Sequence, residues 1–290
     1  MINLLLLQVC TGVSMGAVYV LMAVGLSLIF GMLSIVNFAH GAFYMVGAYA
    51  ALSIGERVAG FWGALILAPL TVAAIGALAE RLFLRPLYGK GIDYPLLLTF
   101  GLAYMLIDAV RFMYGRQGLS FGTPEALQGA IDLGFGHFPL YRLFLIAVTT
   151  LILGALWVTI ERTRLGLIIR SAARDPGMVR VLGINIDHLR VTVFAVGTAL
   201  AALAGALVAP MQGVTPEMGE NILAESFAVT VLGGMGSLTG AVAAGLLVGM
   251  VSSLTALFAP AWTQVSMYIL MTMILLVRPR GLFGKAGVMA

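Results

Sequence analysis

LLLLQVCTGVSMGAVYVLMAVGLSLIF, residues 4–30, is an uninterrupted apolar stretch that decides the class of fold. A lipid hydrocarbon core about 30 Å thick is crossed by roughly 20 apolar helical residues, so this stretch predicts a transmembrane helix. Residues 1–55 contain no Asp, Glu, Lys or Arg, whereas a secretory signal peptide has a basic start and a shorter apolar region. We therefore expect the first helix to be retained as a membrane span.

The composition extends this prediction to the whole chain. Hydrophobic residues make up 61% of it and charged residues 10%, whereas soluble domains contain about 25% charged residues. Because lipid offers the backbone no hydrogen bonds, the spans should be helices. The sequence predicts an all-α fold, a polytopic transmembrane helical bundle of about 8 to 9 spans with broken or re-entrant helices. The apolar blocks are residues 4–28, 35–54, 61–79, 95–113, 143–160, 191–210, 221–235, 241–258 and 262–277.

Basic residues cluster in three places, which orients the chain because positive charge favours the cytoplasmic side. The window of residues 161–190 holds nine of the charged side chains, six of them arginines, and we assign it to the cytoplasm. Residues 114–142, rich in Gly and Pro, and the acidic residues 209–225 are assigned to the outside. If residues 35–54 cross, the N-terminus is outside, and if they re-enter, it is inside. The other basic clusters are Arg81, Arg85 and Lys90, and Arg278, Arg280 and Lys285.

A single transmembrane domain, residues 1–290, is expected. The chain also lacks the residues that several classes of function require. No G-x-x-x-x-G-K-[ST] motif occurs, so the chain is not itself an ATPase. The three histidines are scattered and Cys10 is alone, so we expect neither a metal site nor a disulfide. Asp108 and Arg111 are interpreted as an ion pair at the outer end of a span, which leaves no proton relay for an ion-coupled carrier. We expect no catalytic residue, no cofactor and no nucleic-acid partner, since the positive charge lies at membrane edges beside lipid.

Two Gly-rich breaks interrupt the apolar pattern. They are FGMLSIVNFAHGA, residues 30–42, and VLGGMGSLTGA, residues 231–241, and both contain Gly-Met-x-Ser followed shortly by Gly-Ala. As a repeat, they predict discontinuous helices whose free backbone groups face a substrate path. The alternative is close helix packing, with interhelical hydrogen bonds from the polar side chains. The GxxxG pairs are Gly12/Gly16, Gly236/Gly240 and Gly245/Gly249. The candidate substrate path consists of Asn37, His40, Gly41, Gly233, Gly234, Gly236 and Ser237.

Residues 175–183, inside the basic window, predict a helix of about two turns with a cap at each end. Asp175 is a favourable N-cap, Pro176 suits the first helical position, and Gly183 suits the left-handed stop. Isolated helices this short are unstable in water, which favours a protein partner over the alternative of a solvated loop held by anionic lipid. The candidate docking residues are Arg170, Arg174, Asp175, Pro176, Met178, Val179, Arg180, Leu182 and Gly183, and Val181 completes their apolar edge.

Four segments in colinear order resemble the permease subunits of branched-chain amino acid ABC transporters, and most closely the shorter of the two paralogous permeases. They are GLSLIFGMLSIVNFAHGAFYMVGAY (25–49), RTRLGLIIRSAARDPGMVRVLGINID (162–187), FAVTVLGGMGSLTGAVAAGLLVGM (227–250) and RPRGLFG (278–284). The resemblance implies a multi-pass protein of the bacterial cytoplasmic (inner) membrane. Glu225-Ser226 departs from the basic or apolar residues of several relatives, which leaves the substrate open.

The resemblance also implies partners. Residues 170–183 would be the coupling helix that binds one of two cytoplasmic ABC ATPases. The outer loops, including residues 211–225, would meet a periplasmic substrate-binding protein, and a paralogous permease subunit would complete the pathway. The cargo would be branched-chain or related hydrophobic amino acids, with urea, short amides or small organic acids as the alternative. An ion-coupled secondary carrier is the alternative from another class.

Overall fold

The structure, a computed structural model, describes residues 2–91 and 93–284 and is almost entirely helical. The predicted all-α fold is confirmed; a short antiparallel pair, β1 (Ala130–Asp132) and β2 (His137–Pro139), lies in the loop before α5. Lys285, assigned above to the cytoplasm, lies outside the described residues. The helices are α1 (Ile2–Leu33), α2 (His40–Ile54), α3 (Gly60–Ala79), α4 (Asp93–Tyr114), α5 (Leu140–Arg162), α6 (Arg164–Arg174), α7 (Pro176–Val181), α8 (Ile186–Gln212), α9 (Met218–Gly233), α10 (Leu238–Phe258) and α11 (Thr263–Val277).

Seven helical stretches within the described residues are long and apolar enough to cross a membrane. One of them, His40–Leu87, is 48 residues long, about twice the length that a span needs. Gly60 divides it, because its φ of 62° ends one helix and starts the next. Since α2 and α3 then pack against each other and against α8, they form a hairpin of two spans. When α2 and α3 are counted separately and α9, a helix of 16 residues, is added, the described residues form nine spans. This number lies within the predicted 8 to 9.

The chain forms two compact units. The first unit comprises the described parts of Met1–Ser27, Gly122–Ile152 and Ala224–Ala290, and the second comprises Leu28–Phe121 and Leu153–Leu223.

In the first unit, glycines let α1 and α10 approach closely. A Cβ at Gly249 would lie 2.4 Å from the Gly12 carbonyl oxygen and from the Gly16 nitrogen, and one at Gly16 would lie 3.0 Å from the Gly245 carbonyl oxygen. The pairs Gly12/Gly16 and Gly245/Gly249 therefore allow α1 and α10 to pack closely. Gln8 Nε2 donates to the Ser253 carbonyl at 2.7 Å, and Ser253 Oγ donates to the Gln8 carbonyl at 2.7 Å. These reciprocal bonds fix the register of the two helices.

The two ends of α10 show at which ends of the first unit the start of α1 and residues 278–284 lie. The C-terminal end of α10 lies beside the start of α1, where Gln8 bonds Ser253. The N-terminal end of α10 lies beside Gly233, on which residues 282 and 283 fold back. The start of α1 and the basic tail are therefore at opposite ends of this unit. If the basic residues 278–284 face the cytoplasm, the start of α1 faces outside, which is the alternative in which residues 35–54 cross.

In the second unit, the two predicted external loops meet at one end. Leu119 and Val214 form an antiparallel bridge with N–H···O distances of 2.9 and 2.8 Å. Arg111 pairs with Asp108 at 3.3 Å, as the spacing predicted, and also with Glu217 at 3.2 Å. These contacts place residues 115–121 and 213–217 on the same side of the membrane.

Candidate functional site

A tight turn joins α5 to α6 at the start of the cytoplasmic window. Thr163 caps α6, since its Oγ1 accepts from the Gly166 N–H at 3.3 Å. A Cβ at Gly166 would lie 1.9 Å from the Ile160 carbonyl oxygen, so only glycine fits there. Arg170 donates to the Ile160 carbonyl and to Glu161, both at 2.7 Å. Of the candidate docking residues, Arg170 is thus engaged in holding α6 against the end of α5.

The predicted short helix is α7, and it has both predicted caps. Asp175 Oδ1 accepts from the Met178 N–H at 2.9 Å, and Pro176 occupies the first helical position. Gly183 follows the helix with a φ of 81°. Its N–H donates to the Arg180 carbonyl at 3.0 Å. These bonds satisfy terminal backbone groups that a helix of six residues cannot satisfy internally.

One edge of α7 is apolar and open. Met178, Val181 and Leu182 are 60%, 82% and 69% exposed, whereas Val179 is buried and anchors the helix. Arg174, just before α7, and Arg180, within it, are also exposed. Exposed apolar side chains clustered on so short a helix are typical of a surface that another protein covers.

A network of five side chains follows α7, at the end of the second unit that is predicted to face the cytoplasm. Tyr88 donates its hydroxyl proton to Glu80 Oε1 at 2.7 Å, and the Arg190 guanidinium lies 4.5 Å from the centre of the Tyr88 ring. Asp187 is paired with Arg85 and lies 4.0 Å from Arg190. We call these residues, Glu80, Arg85, Tyr88, Asp187 and Arg190, the cytoplasmic network.

Two features mark the cytoplasmic network as specialised. Glu80 is fully buried and begins a π-helix, Glu80–Leu84, a form of backbone that is frequent at functional sites. Burial raises the pKa of the Tyr88 hydroxyl above its usual value, and the hydrogen bond to Glu80 raises it further, so the hydroxyl keeps its proton and remains a donor. Sequence reasoning missed this network because its partners are distant in sequence; the only signal was an acid, Glu80, at the end of an apolar block.

The first glycine-rich break, between α1 and α2, is held by its own backbone and by α4. Ser34 has a φ of 53° and ends α1. Asn37 is fully buried, and its Oδ1 accepts from the Ala39 N–H at 3.1 Å, a local bond rather than the predicted interhelical one. Phe38 donates its N–H to Thr99 Oγ1 on α4 at 3.2 Å. Within the second unit, the Phe38 and Ala39 N–H groups of the break are therefore already hydrogen-bonded.

His40 and Gly41 open α2 in a crowded position. His40 is fully buried. A Cβ at Gly41 would lie 2.1 Å from the Gly219 carbonyl oxygen, in the first turn of α9. Gly41 thus permits the start of α2 to pack closely against the first turn of α9 in the second unit.

The second glycine-rich break joins α9 to α10 in the first unit. Gly234 has a φ of 98°, and Ser237 caps α10 by accepting from the Gly240 N–H at 3.1 Å. The tail folds back here: the Leu282 N–H donates to the Leu232 carbonyl at 2.9 Å, and the Phe283 N–H donates to the Gly233 carbonyl at 3.1 Å. The structure thus has a helix break where each Gly-rich stretch predicted one.

Among residues 2–91 and 93–284, no cluster of three or more His, Cys, Asp or Glu side chains could hold a metal ion. The elements that the sequence singled out are thus an exposed apolar edge on α7 and two helix breaks.

Residues 8–277 match the family model described as branched-chain amino acid transport system / permease component. The chain belongs to this family. The match includes both helix breaks and α7. Among its relatives, the permease is 31% identical over 295 residues to the high-affinity branched-chain amino acid transport system permease protein BraD of Pseudomonas aeruginosa, covering 96% of this chain and 95% of BraD.

Two further relatives show the same pattern. LivH of Escherichia coli K12, a high-affinity branched-chain amino acid transport system permease protein, is 30% identical over 298 residues, with 96% of this chain and 95% of LivH covered. LivM of the same organism, a permease protein of the same kind of system, is 29% identical, with 91% of this chain and 67% of LivM covered. The similarity to both LivH and LivM shows that the family contains paralogous permeases.

Proposed function

We propose that this permease is the membrane-spanning subunit of an ATP-driven ABC importer of branched-chain or related hydrophobic amino acids. The observation that carries the proposal is the similarity to BraD and LivH over 96% of the chain. BraD and LivH belong to branched-chain amino acid transport systems, and this supports the proposed class of substrate. ATP hydrolysis belongs to partner subunits, because the sequence has no nucleotide-binding motif.

The exposed edge of α7 supports an ATPase contact. Met178, Val181 and Leu182 are the apolar side chains that a groove in an ATPase would cover, and Arg174 and Arg180 would meet acidic residues at its rim. The two caps keep α7 helical before the partner arrives, which lowers the entropy that docking costs. In a complete transporter, two ATPases would each bind the α7 region of one permease.

The rest of the machine follows from the layout of the chain. A paralogous permease would form the pathway together with this one, and the glycine-rich breaks, with Asn37, His40 and Ser237, are the candidate elements along it. The external residues 115–121 and 213–217, held together by the Leu119–Val214 bridge, would receive a periplasmic substrate-binding protein. ATP binding and hydrolysis would move the α7 regions and alternate the access of the pathway.

Reconstitution of the permease tests this function. Proteoliposomes that contain the permease, its paralogue, the two ATPases and the loaded binding protein should import leucine when ATP is supplied. The permease alone should import none, with or without a proton or sodium gradient. Import driven by an ion gradient alone would show a secondary carrier, and ATP-driven import of urea or an amide in place of leucine would show the other substrate class.

The docking role of α7 has its own test. Replacing Met178 and Leu182 together with Asp should abolish co-purification of the ATPases, because two carboxylates cannot be buried in an apolar groove. The permease should still elute as a single species in detergent, since both side chains are exposed. Val58→Asp is the matched control, because Val58 is 75% exposed but lies at the external end of the α2–α3 hairpin. Unchanged ATPase binding by the double variant would refute the docking assignment.

A further inference from the structure

Glu225 is an isolated charge in the membrane-spanning part of the first unit. It is the only charged residue between Glu220 and Arg278. It lies in the middle of α9, a helix that ends where the cytoplasmic tail folds back. Its partner, Tyr19, lies in the part of α1 where Gly16 and Val20 pack on Gly245, near the middle of α10. The carboxylate is therefore close to mid-membrane depth.

The surroundings of Glu225 supply a hydrogen bond and no positive charge. The Tyr19 hydroxyl, on a buried side chain, donates to the carboxylate. In the part of the chain that the structure describes, Glu225 forms no ion pair. Residues 191–277 contain neither Lys nor Arg. Acidic side chains at membrane depth are costly and normally pair with a cation or line the path of a transported species.

A purely structural role explains this arrangement poorly. The Tyr19 hydroxyl needs only an acceptor, which a neutral amide would supply without the cost of a carboxylate in the membrane. Glu225 is only partly buried, so part of its side chain is accessible to a ligand. A carboxylate with one fixed donor and an open side is suited to bind an ammonium group by a charged hydrogen bond.

We propose that Glu225 is a transient binding site for the α-ammonium group of the transported amino acid, with Tyr19 as the residue that positions the carboxylate. This inference rests on the proposed function. A branched-chain amino acid carries an ammonium group, a carboxylate and an apolar side chain, and Glu225, as the only charged residue in residues 221–277, can attract the ammonium group. Tyr19 has a single hydroxyl proton to donate, so the carboxylate keeps acceptor capacity for the substrate.

Charge removal at one position tests the site in the complete transporter. Glu225→Gln keeps an acceptor for Tyr19 but removes the negative charge, so ATP-driven leucine import should fall by at least about tenfold, the range for a lost charged hydrogen bond. Glu225→Asp should retain part of the activity. Asp93→Asn is the charge-removal control, because Asp93 is exposed at the start of α4 and belongs to none of the proposed contacts, so its loss should leave import unchanged. ATPase co-purification and basal ATP hydrolysis should be unaffected in all three.

Carbodiimide labelling tests the chemistry directly. Dicyclohexylcarbodiimide should modify Glu225 in the wild-type complex, as measured by mass spectrometry. Leucine should slow this labelling, whereas 4-methylpentanoate, which has the same side chain and carboxylate but no amino group, should not. Equal protection by both compounds, or import by Glu225→Gln at the wild-type rate, overturns the inference. A wild-type complex that imports no leucine overturns the proposed function instead.

Discussion

Gly205 sits where α8 passes closest to α2 in the second unit. A Cβ there would lie 2.0 Å from the Tyr44 carbonyl oxygen, and a Cβ at Gly47 would lie 2.3 Å from the Ala202 Cα. The two helices therefore touch backbone to backbone. The sequence predicted such packing only at GxxxG pairs, since Gly47 and Gly205 are isolated in sequence and their partners lie on other helices.

Gly205→Ala should destabilise the permease by about 1–3 kcal/mol, because the added methyl group forces α2 and α8 apart. Gly101→Ala is the control: nothing lies within 4 Å of its Cβ position, and alanine is the better helix former by roughly 0.5–1 kcal/mol. Thermal denaturation in detergent, followed by loss of the monodisperse gel-filtration peak, should show a lower midpoint for the first variant and an equal or higher one for the second. Equal midpoints would contradict the close contact.

At the scale of elements, the sequence predicted the apolar helices and their caps, but it did not predict pairs of side chains that are distant in sequence. The caps of α7 depend on residues within the helix or next to it. Asp175 and Gly183 therefore predicted where the helix begins and ends. The cytoplasmic network joins Arg85 to Asp187 across a hundred residues of sequence, and no local pattern reports such a pair. The separation of α6 from α5 was also missed, because the turn depends on a close backbone approach at Gly166.

The cytoplasmic network connects the segment after α7 to the end of α3, so it should carry movement from the ATPases into the spans. Tyr88→Phe keeps the ring under Arg190 but removes the donor to the buried Glu80, a charged hydrogen bond worth about 1.5–3 kcal/mol. We expect more ATP hydrolysed per leucine imported, with ATPase binding intact. Tyr94→Phe is the control, because Tyr94 is 59% exposed. A wild-type ratio of ATP to leucine for Tyr88→Phe would refute this role.

At the scale of the molecule, charge alone predicted which loops face the cytoplasm. The uncharged N-terminal segment gave no such signal, and its side follows only from contacts of α1 with α10 in the first unit. The number of spans was predictable to within one, because the α2–α3 turn at Gly60 and the short α9 are both visible as breaks in the apolar pattern. The substrate was not predictable, since the same fold suits several small molecules.

An accessibility experiment checks the orientation. In a Cys10→Ser background, Asn3→Cys should react in intact cells with a maleimide that cannot cross the inner membrane, because Asn3 is exposed at the external end of α1. Arg278→Cys should react only after the membrane is permeabilised, since it begins the cytoplasmic tail. Protection of Asn3→Cys in intact cells, with labelling after permeabilisation, would show that the N-terminus is inside.

The return of the tail to the end of α9 bears on how the protein is made. Leu282 and Phe283 leave the ribosome about fifty residues after α9, yet their N–H groups complete the hydrogen bonding of the Leu232 and Gly233 carbonyls. A nascent chain that stops short of them carries two open carbonyls at a membrane-embedded helix end, which lipid cannot satisfy. The end of α9 is therefore completed only after residues 282 and 283 are made, and chains truncated before them should present this unfinished helix end to the quality-control proteases of the membrane.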